Sequence, residues 1–146
     1  MKSLMLAGTT AVGIGAAIWY WSSSGLTQIP YNDLASVQRG SAVYVENCAS
    51  CHGQQLEGEE NWRQRDQDGL LPAPPHDETG HTWHHPDEQL FQITKLGTAK
   101  IVGQGYQSNM PGFDGVLSDQ EIWDVLAYIK STWPARIIEI HNQRNR

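Results

Sequence analysis

The sequence predicts an all-α domain organised by something other than a peptide core, and three observations lead there. Three segments place apolar residues three and four apart behind helix-capping residues. No stretch of useful length alternates with the period of two that a strand requires. Residues 53–85, mostly Gln, Glu, Asp, Gly, Pro and His, supply few apolar side chains, and a loop of that length in a small domain needs an organising partner. The chain has 146 residues, 39% of them hydrophobic, which implies one domain with apolar content at the lower edge of the globular range.

The elements follow in chain order. Leu4 to Trp21 is an uncharged run of 18 residues, close to the shortest that spans a hydrocarbon core of about 30 Å at roughly 1.5 Å per residue. Lys2 flanks it on the N-terminal side, and Trp19, Tyr20 and Trp21 stand where an interfacial belt belongs, so the N-terminus is expected inside and the domain outside. The rival reading is a cleaved signal peptide cut near Ser22, Ser23 and Ser24. The three bulky aromatics crowd that cleavage region and favour a retained anchor over residues 1–21. A tether of Ser, Gly and Pro follows over 22–32, then a compact domain over 33–134 and an extension over 135–146.

Within the domain, Asp33 caps a first helix to about Asn47, with Val37, Ser41, Tyr44 and Val45 on one side. Pro86, Asp87 and Glu88 open a second helix carrying Leu90, Ile93 and Leu96 and ending at Gly97. Ser118 to Glu121 form a capping box before a third, striped by Ile122, Val125, Leu126 and Ile129 and stopped by Pro134. In the extension, Ile137, Ile138 and Ile140 suit a short helix against the domain, and Arg144 and Arg146 a frayed end.

The chemistry concentrates at Cys48-Ala49-Ser50-Cys51-His52. Cys-x-x-Cys-His is the attachment signature of a c-type haem: two thiols on adjoining turns reach the two vinyl groups of one porphyrin, and the next imidazole is directed at the iron. Three other readings compete. A redox-active dithiol needs a β-α-β context that the sequence lacks, a structural disulfide has no use for His52, and a zinc half-site needs distant histidines to complete it. With Cys48 and Cys51 the only cysteines, no all-cysteine iron–sulfur or zinc site is available.

A haem iron bound by His52 needs a sixth ligand or keeps an open position, and Met110 is the candidate. It lies in Asn109-Met110-Pro111-Gly112-Phe113, a turn, where a methionine has little to do as core filler. Met1 and Met5 belong to the anchor. With these residues in view the chain resembles a class I cytochrome c: a helix running into Cys-x-x-Cys-His, a methionine in a Met-Pro turn, here 58 positions after His52, and a C-terminal helix crossing the first. The resemblance covers residues from about 33 to 134 and implies the class I cytochrome c fold, one covalent haem c held by Cys48 and Cys51, and iron ligated by His52 and Met110. It also implies that Gly40 gives close approach to an aromatic of the last helix, Tyr128 or Trp123, and that a carbonyl among Pro72, Pro74 and Pro75 accepts the Nδ1–H of His52.

A His/Met iron has no vacant site for substrate, so a one-electron carrier is expected rather than an enzyme. The resemblance implies partners of the quinol-oxidising complex, terminal oxidase or periplasmic dehydrogenase type. With the anchor, it places the haem domain on the periplasmic side of the inner membrane. Trp62, Arg63, Arg65, Trp83 and Tyr106 carry donors suited to haem propionates, with no pattern that selects among them. His76, His81, His84 and His85 fall within ten positions beside Asp77, Glu78 and Asp87. Imidazoles with carboxylates suit Cu(II) or Zn(II), so a haem protein with a second metal site, in a metal-handling, sensor or enzyme role, is the alternative function. A further option makes one of these histidines the sixth iron ligand in place of Met110. The exported part holds all 16 acids and nine of the ten bases, a net −7, which disfavours nucleic acid as a partner.

Overall fold

The computed structural model describes residues 26–146. The expected membrane span and its flank at residues 1–21 lie outside them. Among the described residues no helix is long and apolar enough to cross a membrane, and the architecture is helical with a single isolated bridge, Asp114 to Leu117, and no strand.

Helix α1, Leu34–Asn47, starts where its capping residue requires: Asp33 is extended and its carboxylate accepts the Ala35 N–H at 3.1 Å and the Ser36 hydroxyl at 2.9 Å. Its buried face is Ser36, Gly40, Val43 and Tyr44, whereas Val45, expected on that face, is 62% exposed. At Gly40 the helix crosses α5, Asp119–Ser131, at very short range. A Cβ added to Gly40 would lie 1.8 Å from the Asp124 carbonyl oxygen. The atoms nearest to Gly40 are those of the α5 backbone at Asp124 and Val125. Tyr128 packs on Tyr44 with centroids 5.4 Å apart, and Trp123 stacks on Phe91 at 4.6 Å. The Asp124 carboxylate, buried, is gripped by the fork of Arg39, Nε to Oδ2 at 2.6 Å and Nη2 to Oδ1 at 3.0 Å.

The Ser118–Glu121 capping box of α5 is formed in both directions, and Ile122, Val125, Leu126 and Ile129 are all buried. Helix α2, Ala49–His52, is one turn directly after α1. Helix α3, Asp87–Leu96, has Pro86 as its N-cap, one residue outside the first turn expected of it, and ends at Gly97. A short α4, Thr98–Val102, follows immediately, and α6, Ala135–Gln143, begins after Pro134. Ile137 and Ile138 of α6 pack against the cluster containing Val125 and Trp133.

Part of the segment read as a tether joins the core: Ile29 is buried with Leu90, Phe91 and Ile122. A polar knot holds it there. The Ile29 N–H donates to Asp87 Oδ2 at 2.9 Å, while Oδ1 faces Lys130 Nζ at 3.6 Å and accepts from the Asn145 amide at 3.2 Å. His141, fully buried, donates from Nε2 to the His85 carbonyl at 2.9 Å and lies 3.4 Å from Asp87 Oδ1. Burial, reinforced by the Lys130 charge, pushes the His141 imidazolium down to about 4.

Two outcomes follow. Gly40→Ala forces the α1–α5 backbones apart and is expected to cost about 3 kcal/mol or somewhat more; a urea midpoint within error of the wild type would show that the helices separate freely. For His141, the unfolded imidazole takes up its proton near pH 6.5 and the folded one only near 4, so between these values the unfolded chain binds more protons. Stability from this residue is complete above pH 6.5 and is lost as pH falls toward 4. The Tm of the wild type is expected to drop over that window more steeply than that of His141→Gln, and parallel slopes would assign the loss to other groups.

Candidate haem site

The two cysteines and the histidine are placed by the end of α1. Cys48 N–H donates to the Tyr44 carbonyl at 2.9 Å and His52 N–H to that of Cys48 at 2.9 Å, so the motif continues the helical path for one more turn. Tyr44, buried between the helices, donates its hydroxyl to the Gly53 carbonyl at 2.9 Å and to that of His52 at 3.3 Å. No disulfide joins the two cysteines, and Cys51 is exposed while Cys48 is half-buried. Burial, with Cys51 adding to it, pushes the Cys48 thiol up to about 11. Among the described residues there is no strand, so the β-α-β context of a redox dithiol is not present there.

His52, 7% exposed, donates its Nδ1–H to the carbonyl of Pro74 at 2.8 Å. Of the three prolines in view, Pro74 is therefore the one that accepts. The bond fixes the tautomer and leaves the Nε2 lone pair free, and burial lowers the affinity of the ring for a second proton against the opposing pull of Pro74. The result is a neutral imidazole suited to a metal.

Met110 is held in a turn pressed onto the end of α3. Gly97, at φ 84°, and Gly112 meet so closely that a Cβ on Gly112 would lie 2.5 Å from the Leu96 carbonyl carbon. Phe113 and Asp114 N–H groups donate to the Thr94 and Lys95 carbonyls at 3.1 and 2.9 Å. The Met110 N–H donates to Ser108 Oγ at 3.1 Å, and the Thr98 hydroxyl donates to Met110 Sδ at 3.4 Å. Sulfur retains a lone pair for a metal while Thr98 fixes its direction. The sequence carries no mark of Thr98 beyond its position after the helix-ending Gly97.

The polar segment folds back under this site. His76 N–H donates to the Leu56 carbonyl at 2.8 Å, Trp133 Nε1 to the His76 carbonyl at 2.7 Å, and Glu59 N–H to the Ala73 carbonyl at 2.8 Å. The four clustered histidines do not converge on one point. His76 stacks on His52 with centroids 3.8 Å apart, His81 stacks on Trp62 at 5.5 Å, His84 stacks on Trp83 at 3.7 Å, and His81 meets His85 edge-on at 5.4 Å. Among the described residues no group of three or more His, Cys, Asp or Glu gathers as a metal site, so neither a second Cu or Zn centre nor a completed zinc half-site is assembled. His76 also cannot be the sixth ligand, because two nearly parallel rings 3.8 Å apart cannot approach one iron from opposite faces. The donors considered for propionates are engaged elsewhere in part: Trp83 Nε1 with the Glu78 carbonyl, Arg65 with that of Gly69, Arg63 over the Trp62 ring.

Two thiols a helical turn apart, followed by a neutral imidazole whose Nε2 is not engaged, fit a covalently attached haem. Site and fold together define a c-type haem domain. The family described as Cytochrome c matches residues 37–133, and the chain belongs to it. Covalently bound haem c and electron transfer are the chemistry of that family, of class I type here.

The gluconate 2-dehydrogenase cytochrome c subunit of Pantoea cypripedii is 29% identical over 100 residues, covering 66% of this chain and 20% of that protein. The cbb3-type cytochrome c oxidase subunit FixP of Azorhizobium caulinodans is 28% identical over 118 residues, 75% of this chain and 36% of that protein. This chain thus spans about a fifth to a third of the curated relatives it matches. The crystal structure of cytochrome CL from Methylophaga aminisulfidivorans superposes with a TM-score of 0.50 at 21% identity, over 78% of this chain and 67% of that one, a likeness of fold.

Proposed function

We propose that this chain is a one-electron carrier in which Cys48 and Cys51 form the two thioether links to haem and His52 and Met110 are the axial ligands of its iron. The observation that carries the reading is the His52 to Pro74 bond, which leaves one ring nitrogen, and only one, available at the end of the Cys-x-x-Cys turn. When bound, the haem supplies an Fe(III)/Fe(II) couple, and a neutral thioether ligand favours the reduced form relative to a second imidazole. Pro74 holds the His52 tautomer, Thr98 aims the Met110 sulfur, and the crossing of α1 and α5 fixes the cysteines. Nothing in this set is a nucleophile with a base beside it, which supports a carrier over an enzyme.

The relatives named as subunits of a dehydrogenase and of a terminal oxidase support protein redox partners of those kinds, with a quinol-oxidising complex as a further donor. We further propose that residues 1–21 are retained as a single membrane anchor, that 33–134 is the electron-carrying unit, and that this unit lies on the exported, periplasmic side. An anchor confines the carrier to encounters near the membrane, which raises its effective concentration toward membrane partners.

The ligand assignment is tested by spectroscopy. The oxidised wild type is expected to show the weak red-edge absorption of methionine bound to Fe(III), and the reduced form to leave CO unbound on a timescale of seconds. Met110→Ala is expected to lose the band and bind CO rapidly. Absence of the band in the wild type would overturn Met110 as ligand. For the anchor, the full chain is expected in the membrane fraction after alkaline carbonate washing; recovery in the wash, shortened at the Ser22–Ser24 region, would establish a cleaved signal instead.

A further inference from the structure

Of the histidines that the haem motif does not use, His76 is the one whose ring lies against that of His52. Its backbone is held at both ends, the N–H by the Leu56 carbonyl at 2.8 Å and the carbonyl by Trp133 Nε1 at 2.7 Å. Its ring lies on that of His52 with a centroid separation of 3.8 Å and a tilt of 20°, and the Tyr44 ring meets its edge at 6.0 Å. Its Nδ1 is buried with no hydrogen-bond partner. A polar atom so placed has a cost that an aliphatic residue would avoid, so the worth of a histidine here lies in its flat face.

We propose that His76 is a positioning residue for the axial imidazole: by stacking on His52 it sets the plane of that ring about the bond to iron. The inference rests on His52 being an axial ligand. One hydrogen bond, from Nδ1 to Pro74, has broad angular tolerance at a carbonyl oxygen and leaves the ring free to rock about the line joining the bond to the metal. A second ring flat against the first opposes that rotation, because turning one plane against the other drives their atoms together. Pro74 and His76, two residues apart, thus act together, the first on the tautomer and the second on the plane. In a low-spin ferric haem the ligand planes orient the half-filled iron orbital and so distribute unpaired spin over the porphyrin.

The test is proton NMR of the holoprotein. In the reduced, diamagnetic wild type a nuclear Overhauser contact is expected between the ring protons of His52 and His76; its absence overturns the proposal without any variant. In the oxidised protein, His76→Phe, which keeps a flat ring, is expected to retain the order and spread of the haem-methyl shifts, and His76→Leu, which has no flat face, to change them. Haem-methyl shifts of His76→Leu that superpose on the wild type, with the methionine band intact, overturn the positioning role and leave the ligand assignment standing. A wild type lacking both the methionine band and a low-spin spectrum instead marks failure of the ligand assignment itself. If His76→Leu does not retain haem, the contact in the wild type and the His76→Phe spectrum decide the question.

Discussion

The rest of the domain depends on one backbone contact, the approach of α1 to α5 at Gly40. With no Cβ at that position the helices meet main chain to main chain at the Asp124 carbonyl, and the adjacent residue, Arg39, closes a two-pronged grip on the carboxylate of the same Asp124. Crossing point and rotation are thereby fixed by two neighbouring residues of one helix and a single residue of the other. One turn further along α1, Tyr44 is driven into the angle between the helices against Tyr128, and its hydroxyl reaches the carbonyls of His52 and Gly53. The cysteines lie between these points. Their placement follows from the crossing, and so does the direction in which the following imidazole emerges.

Asp87 is the second organising point, and it works by a different balance of terms. It receives the Ile29 N–H, faces Lys130 and His141, and exchanges bonds with Asn145, so one carboxylate ties the described N-terminal segment, α3, α5 and the C-terminal helix together. Burying an aspartate and a lysine carries a desolvation penalty that their attraction scarcely exceeds. What the cluster supplies is directional: Ile29 enters the core at one register, and α6 closes over the end of α5 in one orientation. Burial presses the lysine toward its neutral form and Asp87 resists it. The arrangement is thus stable while the carboxylate remains in place.

Much of this was legible in the sequence, and the part that was not has a common cause. Capping residues are local, and Asp33, Ser118 with Glu121, and Gly97 mark helix ends where the chain itself dictates them. The haem motif is also local, five consecutive positions, Cys48 to His52. On α1, Tyr44 and Val37 pack inward as their spacing implies, but Val45 is apolar and exposed, while Ser36 and Gly40, which carry little hydrophobic signal, are buried. Close packing selects for smallness, and smallness looks polar or neutral in a periodicity analysis. The Asp87 knot and the Thr98 hydroxyl were invisible for another reason: their partners lie far off in sequence or across a helix junction, and no spacing rule links Asp87 to Asn145 or Ile29.

The histidine-rich segment shows how composition can suggest convergence where the fold disperses. Metal binding requires ring nitrogens from different positions to meet at one point, and an irregular segment has no periodicity to bring them there. What such a segment does have is a shortage of aliphatic side chains, and neutral imidazole offers a flat face of moderate polarity in their place. His76 lies on His52, His81 on Trp62 and His84 on Trp83, and for each of the three, burial is the first cause holding the ring toward its neutral form. His85 contributes its carbonyl, which anchors His141 of the last helix. Three of the four histidines stack on another ring and the fourth meets His81 edge-on, and the polar loop acquires by such contacts some of the cohesion that its composition denies it by aliphatic packing.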